Sequence, residues 1–214
     1  MSNTWVLVIS LSEGSFFEEI SHRILATLRS KTTVQLARDP NSTVQLLAQQ
    51  PSSILIADEA LTQNKYSQIW GAVLQCIRQG STAVVMGQFS SFVRPDNMKP
   101  FFSQAGLSWD RGSYTRTTLV LNQAATGDEL ATKLPKSYSQ KALFVNNVVS
   151  SDMWYTTDES SVVESRVFGP TSVNTPGETP VAMARVGEGK LGYVGDVNAE
   201  VETDAVILAM CNLL

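Results

Sequence analysis

The sequence predicts an α/β fold of three layers, with a mostly parallel sheet and a C-terminal antiparallel hairpin. Three observations carry that expectation. Trp5-Val6-Leu7-Val8-Ile9 is a continuous apolar run of strand length, the pattern of a strand covered on both faces. Strand-like runs then alternate with helical patterns as far as Met86, and such alternation implies parallel strands joined by right-handed crossovers. Val181 to Val186 and Leu191 to Val194 flank Gly187-Glu188-Gly189-Lys190, a tight antiparallel turn signal.

Taken in order, the first strand ends at Ser10 and is followed by Ser15-Phe16-Phe17-Glu18, the pattern of a capping box. Phe17, Ile20, Ile24 and Leu28 then recur at spacings of three and four, marking an amphipathic helix. Thr33 to Ala37 reads as a strand, Ser42 to Gln50 as a helix with its N-cap in Asn41-Ser42-Thr43, and Ser53 to Ala57 as a strand ending at Asp58-Glu59. Tyr66, Ile69, Val73 and Ile77 give the next helical stripe, and Thr82 to Met86 the fourth strand. Beyond it the pattern predicts a short helix after Pro95, a strand from Tyr114 to Leu121, a small helix from Asp128 to Lys133 and a strand from Ala142 to Val149. Residues 150–179, rich in Ser, Thr, Gly and Pro, read as an irregular insertion with short strands at Trp154 to Thr156 and Val162 to Val167. Thr203 to Leu214 is an almost wholly apolar helix that must dock on the sheet.

Composition bounds the function. A chain of 214 residues suits one domain, here residues 1–214, and 43% hydrophobic with 17% charged residues describes an ordinary globular core. No apolar run approaches the roughly 18 residues of a bilayer span, so no membrane association is expected. A net charge of -4 without a Lys/Arg cluster excludes a phosphate-backbone footprint, so no nucleic acid is expected either. Cys76 and Cys211 are too few for a disulfide framework and read as buried helix residues of a reducing, cytoplasmic protein. No His/Cys spacing supports a metal, and no cofactor is expected.

The run Pro180-Val181-Ala182-Met183-Ala184-Arg185-Val186-Gly187-Glu188-Gly189-Lys190-Leu191-Gly192-Tyr193-Val194-Gly195-Asp196 resembles the closing hairpin of class I glutamine amidotransferase-like domains, including their ThuA-like branch. The resemblance implies a flavodoxin-like arrangement, with a nucleophilic Cys in the turn after the fourth strand and a His in the loop after the hairpin. Here that turn reads Gly87-Gln88-Phe89-Ser90-Ser91 and that loop Gly195-Asp196-Val197-Asn198-Ala199-Glu200, with neither residue. A thiolate nucleophile needs a base to take its proton, so glutaminase chemistry is not expected. Fungal proteins without an assigned activity are similar in Gly106-Leu107-Ser108-Trp109, in Tyr114 to Thr118 and in Gly192 to Glu200.

In an open parallel sheet, ligands bind beyond the carboxyl ends of the strands. The polar residues expected there are Ser12 and Glu13 after strand one, Asp58 and Glu59 after strand three, Gln88, Ser90 and Ser91 after strand four, and Asp196, Asn198 and Glu200 after the hairpin. Together they describe an acidic pocket from which Asp196 and Ser90 are expected to be removable with little loss of stability, the alternative being that Asp196 caps a neighbouring turn or helix at a cost of about 1 kcal/mol. The loop Ser10 to Ser15 could cradle a phosphate, although Glu13 would repel the anion. His22, the only histidine, falls on the helix face opposite the apolar stripe and reads as a surface residue.

Three readings follow. The first is an amidotransferase-like domain without the Cys-His pair that binds a small polar molecule or a partner protein. The second is an enzyme using carboxylate acid/base chemistry at Glu13, Asp58 or Asp196 on a small, sugar-like or secondary-metabolite substrate. The third is an interaction module with Trp109, Trp154 and Tyr155 as exposed anchors; the oligomeric state stays open, a homodimer included.

Overall fold

The computed structural model describes residues 4–165, 167, 169 and 171–214. The chain runs β1 (Trp5–Ile9), α1 (Phe17–Ile20), α2 (His22–Lys31), β2 (Thr33–Ala37), α3 (Pro40–Leu47), β3 (Ser53–Ile56), α4 (Ser67–Arg78), β4 (Thr82–Val85), α5 (Phe89–Phe92) and α6 (Pro95–Ser103). It continues through β5 (Asp110–Leu121), α7 (Gln123–Thr126), α8 (Asp128–Lys133), β6 (Ser137–Asn146), β7 (Met153–Thr156), β8 (Val181–Val186), β9 (Gly189–Val194) and α9 (Val201–Met210).

The strands form one sheet in the order β2-β1-β3-β4-β9-β8-β7-β5-β6. From β2 to β9 every neighbour is parallel, and from β9 to β6 every neighbour is antiparallel. Only β8 and β5 therefore run against the other strands. The result is an α/β fold on a mixed, largely parallel sheet, compatible with a flavodoxin-like arrangement. Beyond β9, β8 returns beside it in register from Val181 opposite Val194 to Val186 opposite Gly189. Gly189 has to be glycine, because a Cβ there would lie 2.1 Å from the Ser81 carbonyl oxygen. β6 curls back toward the exit of β9: Leu143 N donates to Gly195 O at 3.0 Å, Val197 N to Lys141 O at 3.0 Å, and Val145 and Thr179 exchange two bonds of 2.9 Å.

The apolar runs divide between two cores, as the period of two requires. Trp5, Leu7 and Ile9 pack on one face with Trp70, Val73 and Ile77 of α4 and with Met98, Phe101 and Phe102 of α6. Val6 and Val8 pack on the other with Ile24, Leu25 and Leu28 of α2 and Val206 to Met210 of α9. Helices thus cover both faces, which is why the strands read as unbroken apolar runs.

Several local expectations are corrected. The capping box does not form: Phe16 is the N-cap of α1 without a side-chain bond, and the helix is interrupted at Ser21. Ser15 is drawn away because its hydroxyl donates to Gln88 Oε1 at 2.8 Å. The cap of α3 is Asp39, which accepts from Ser42 N at 2.9 Å, and Asn41 lies inside the first turn. β5 begins at Asp110 and β6 at Ser137, because these paired strands alternate between half-covered and buried positions and lack long apolar runs. Val162 and Val163 form isolated bridges, to Ser172 and Thr117; Arg166, within the expected strand Val162 to Val167, is outside the described residues.

Candidate functional site

The carboxyl ends of β1, β3, β4 and β9 carry all ten predicted polar residues, but the structure sorts them into separate places. At the ends of β1 and β3 a polar network joins the two turns, with Glu59 Oε2 buried and without a hydrogen-bond partner among the described residues. Asp58, 2% exposed, accepts from Ser10 Oγ at 2.9 Å and Ser12 N at 3.1 Å through Oδ2, and caps the short 3-10 turn Glu59–Thr62 by accepting from Ala60 N at 3.1 Å. Ser12 donates to Glu59 Oε1 at 2.8 Å, and the hydroxyl oxygens of Ser10 and Ser15 lie 2.9 Å apart. Hydroxyls that satisfy carboxylates in this way are not free to cradle a phosphate. Glu13 stands exposed on the same turn.

The next group surrounds a cavity of about 140 Å³ at the ends of β4 and β9. Its walls are apolar: Phe16, Ile20 and Ile24 from α1, α2 and the residue before them, Met86 and Phe92 flanking the turn after β4, and Val194, Val197 and Ile207. The turn is made by Gly87 at φ 64°, where a Cβ would lie 2.8 Å from Phe17 Cε2 and 2.9 Å from the Ala57 carbonyl oxygen. Gln88 N donates to that carbonyl at 2.8 Å, so the turn is pinned to the end of β3. Ile20, expected on the buried stripe of its helix, is instead 37% exposed beside the cavity.

Three predicted residues, Gln88, Ser91 and Asp196, line this cavity, and Ser90 does not. Ser90 is corrected from the site to the core: Tyr193 spends its hydroxyl proton on Leu143 O at 2.8 Å, so Ser90 donates to the Tyr193 oxygen at 3.0 Å. One step along the α5 turn, Ser91 faces the cavity in its place. Asp196 is 4% exposed and accepts three bonds, from Asn198 N at 2.8 Å through Oδ1 and from Glu200 N at 2.8 Å and Thr203 Oγ1 at 2.6 Å through Oδ2. Burial pushes its carboxyl above the ordinary range, against the downward pull of those three donors. The expectation that Asp196 is dispensable for stability is therefore overturned by its partners. Ala199, at φ 53°, lets the loop turn tightly enough for both N–H groups to reach it.

Asn198 and Glu200 face a different, wider groove. Asn198 lines it with Tyr114, Arg116 and Lys141, and Glu200 pairs with Arg116 at 2.5 Å. The single acidic pocket expected from sequence is thus replaced by a serine–carboxylate network, a small apolar cavity with an acidic floor, and a mixed-charge groove.

Sequence reasoning missed Phe16, Phe92, Thr203, Asp204 and Arg23. Thr203 and Asp204 open α9 and line the cavity, and Arg23 pairs with Asp204 while donating to Ala199 O at 2.8 Å and Glu200 O at 3.0 Å. The available signal was Phe16, a large apolar residue outside the helical stripe that begins at Phe17. Cys76 and Cys211 are buried on opposite faces of the sheet, and His22 is exposed at the start of α2 with Nδ1 2.9 Å from Glu19 O. Trp109, Trp154 and Tyr155, 2%, 6% and 0% exposed, are core residues and not surface anchors. Among the described residues no group of His, Cys, Asp and Glu could hold a metal, and no helix is long and apolar enough to cross a membrane.

No family model matches the chain, and no curated protein matches it in sequence. Solved structures do match in fold. A ThuA-like protein of Bacteroides uniformis overlays 96% of this chain and 89% of its own length with a TM-score of 0.59 at 9% identity. A ThuA-like protein of Parabacteroides merdae overlays 99% and 89% with a TM-score of 0.55 at 11% identity. A β-galactosidase of Bacillus circulans has a TM-score of 0.62 at 12% identity, and this chain spans 31% of its length. The chain therefore shares the fold of these ThuA-like proteins, at identities that speak for the fold alone.

Proposed function

We propose that this chain is an amidotransferase-like domain without the Cys-His pair, binding a small molecule in the cavity at the carboxyl ends of β4 and β9. The supporting observation is the cavity itself, a pocket of about 140 Å³ walled by four separate stretches of chain at the sheet edge where such folds hold ligands. Its apolar walls favour a ligand with an apolar body over a polyhydroxylated one, whose hydroxyls would be left unpaired against Ile20, Ile24, Val194 and Ile207. Two buried thiols agree with a cytoplasmic setting.

Native mass spectrometry of the protein as purified tests the reading, using Ser91→Trp, which places a large ring at an exposed position on the cavity. A retained small molecule lost in that variant supports it. Retention unaffected by the variant, or a fragment screen with no hit displaced by it, would count against it. A second reading, an acid/base enzyme, is favoured by one feature: burial pushes the Asp196 carboxyl up toward the range where it could exchange a proton. Turnover lost in Asp196→Asn, with the fold intact, would establish that reading in its place.

A further inference from the structure

Resting on the binding reading above, we infer that the ligand of the cavity is an organic ammonium ion on a compact apolar body, about the size of one six-membered ring. Two charged residues line the cavity, Asp196 and Asp204, and both are acidic. Asp204 already has its counter-ion, Arg23, whose guanidinium is also held by the carbonyl oxygens of Ala199 and Glu200. Asp196 makes no direct ion pair among the described residues: its three donors are two backbone N–H groups and a hydroxyl, and Arg23, whose charge reaches it, is hydrogen-bonded to Asp204. One cation is thus shared between two carboxylates, and the Oδ1 atom of Asp196, with one donor, has room for another.

The mouth of the cavity has the complementary chemistry. Phe16 and Phe92, 43% and 52% exposed, meet edge to face with ring centroids 6.1 Å apart. Aromatic faces attract a cation and tolerate an apolar ring, whereas an anion gains nothing from either. The volume is right for one ring, since an apolar cavity of about 150 Å³ accommodates benzene. With Arg23 set against Asp204, one net negative charge is left at the cavity, so a ligand carrying a carboxylate beside its amine, as an amino acid does, would bring a like charge to Asp196 and is disfavoured.

Three isosteres separate the charges: benzylamine, benzyl alcohol and benzoate, titrated calorimetrically at pH 7 against the wild-type chain. Benzylamine should bind about tenfold or more tightly than benzyl alcohol, the worth of one charge-assisted hydrogen bond, and benzoate should not bind. In Asp196→Asn the preference for the amine over the alcohol should disappear; should that variant fail to fold, the ranking on the wild-type chain decides alone. Ser91→Trp should remove both. Equal affinity for amine and alcohol, or tighter binding of benzoate, overturns the ammonium assignment and leaves the cavity reading standing. Absence of binding by all three overturns the assignment too, and the cavity reading then stands or falls on the retained mass.

Discussion

Thr203 donates its hydroxyl proton to Asp196 Oδ2 at 2.6 Å, and through this bond the first turn of α9 is tied to the segment leaving β9. Behind it Gln140, fully buried, donates through Nε2 to Thr203 Oγ1 and to the Tyr138 hydroxyl, each at 3.1 Å. Asp196 is thus the outer end of a buried polar chain, and the bonds it accepts set the shape of the cavity floor.

Asp196→Ala should therefore cost about 2–3 kcal/mol in urea unfolding, because it removes a charged acceptor from three donors at once. Thr203→Val should cost about 2–3 kcal/mol, since the bond given to Asp196 and the bond accepted from Gln140 are both lost, while Gln140 Nε2 keeps its bond to Tyr138. A change within 0.5 kcal/mol for both would mean that the cap is not formed in solution.

The pH dependence of Asp196 has a definite sign. Burial raises its carboxyl in the folded state, so the folded chain holds this proton more tightly than the unfolded chain does. The destabilising effect of ionisation is complete above the raised folded value and vanishes as pH falls below the ordinary value of 3.8. Relative to Asp196→Asn, the wild-type chain should gain stability as pH falls from 7 toward that value. Chemical unfolding of both proteins across this range checks it, and the comparison cancels Asp39 and Asp158, whose hydrogen-bonded carboxyls are shifted downward.

Neither thiol should react in the native state. Cys76 and Cys211 are 5% and 4% exposed, and burial pushes both thiols up, Cys211 to about 12. Ellman's reagent should label both only after unfolding, and fast native labelling of either would contradict its placement.

Gly87→Ala should destabilise the chain by about 2 kcal/mol or more, because an L residue at φ 64° is strained and the new methyl would meet both Phe17 and the Ala57 carbonyl. Thermal unfolding measures the effect, with His22→Ala as the control; His22 is exposed, so its removal should leave stability within about 0.5 kcal/mol.

The parallel half of the fold was legible because its strands are buried on both faces. Val6 and Leu7 look in opposite directions and are both fully covered, so no polar residue interrupts the run. β5 and β6 were harder to bound because they pair along a half-exposed stretch, where Arg116 and Lys141 sit opposite each other and apolar content no longer marks the ends. At the site, the sheet edge could be inferred from chain order, but side-chain direction could not. Ser90 and Ser91 are adjacent in sequence, and only the phase of a four-residue helix decides which one meets the core. Asp58 and Asp196 both follow strands and each caps its own turn, Asp58 through Ala60 N and Asp196 through Asn198 N and Glu200 N, as Asp does in turns, while Asp58 also accepts from Ser10 and Ser12 of the loop after β1.

The return of β6 to residues 195–197 and to Thr179 bears on how the chain behaves at high concentration. A sheet margin with unpaired N–H and C=O groups is a template for strand addition by a second chain. Leu143 and Val145 have already committed theirs to Gly195 and Thr179, so the antiparallel end of the sheet offers little for such growth. Among the described strands the margin left open is β2, five residues long and only partly covered. Its Thr33 and Gln35 dilute the apolar character that cross-β stacking needs, and a short, polar-interrupted margin is a poor nucleus for fibrils.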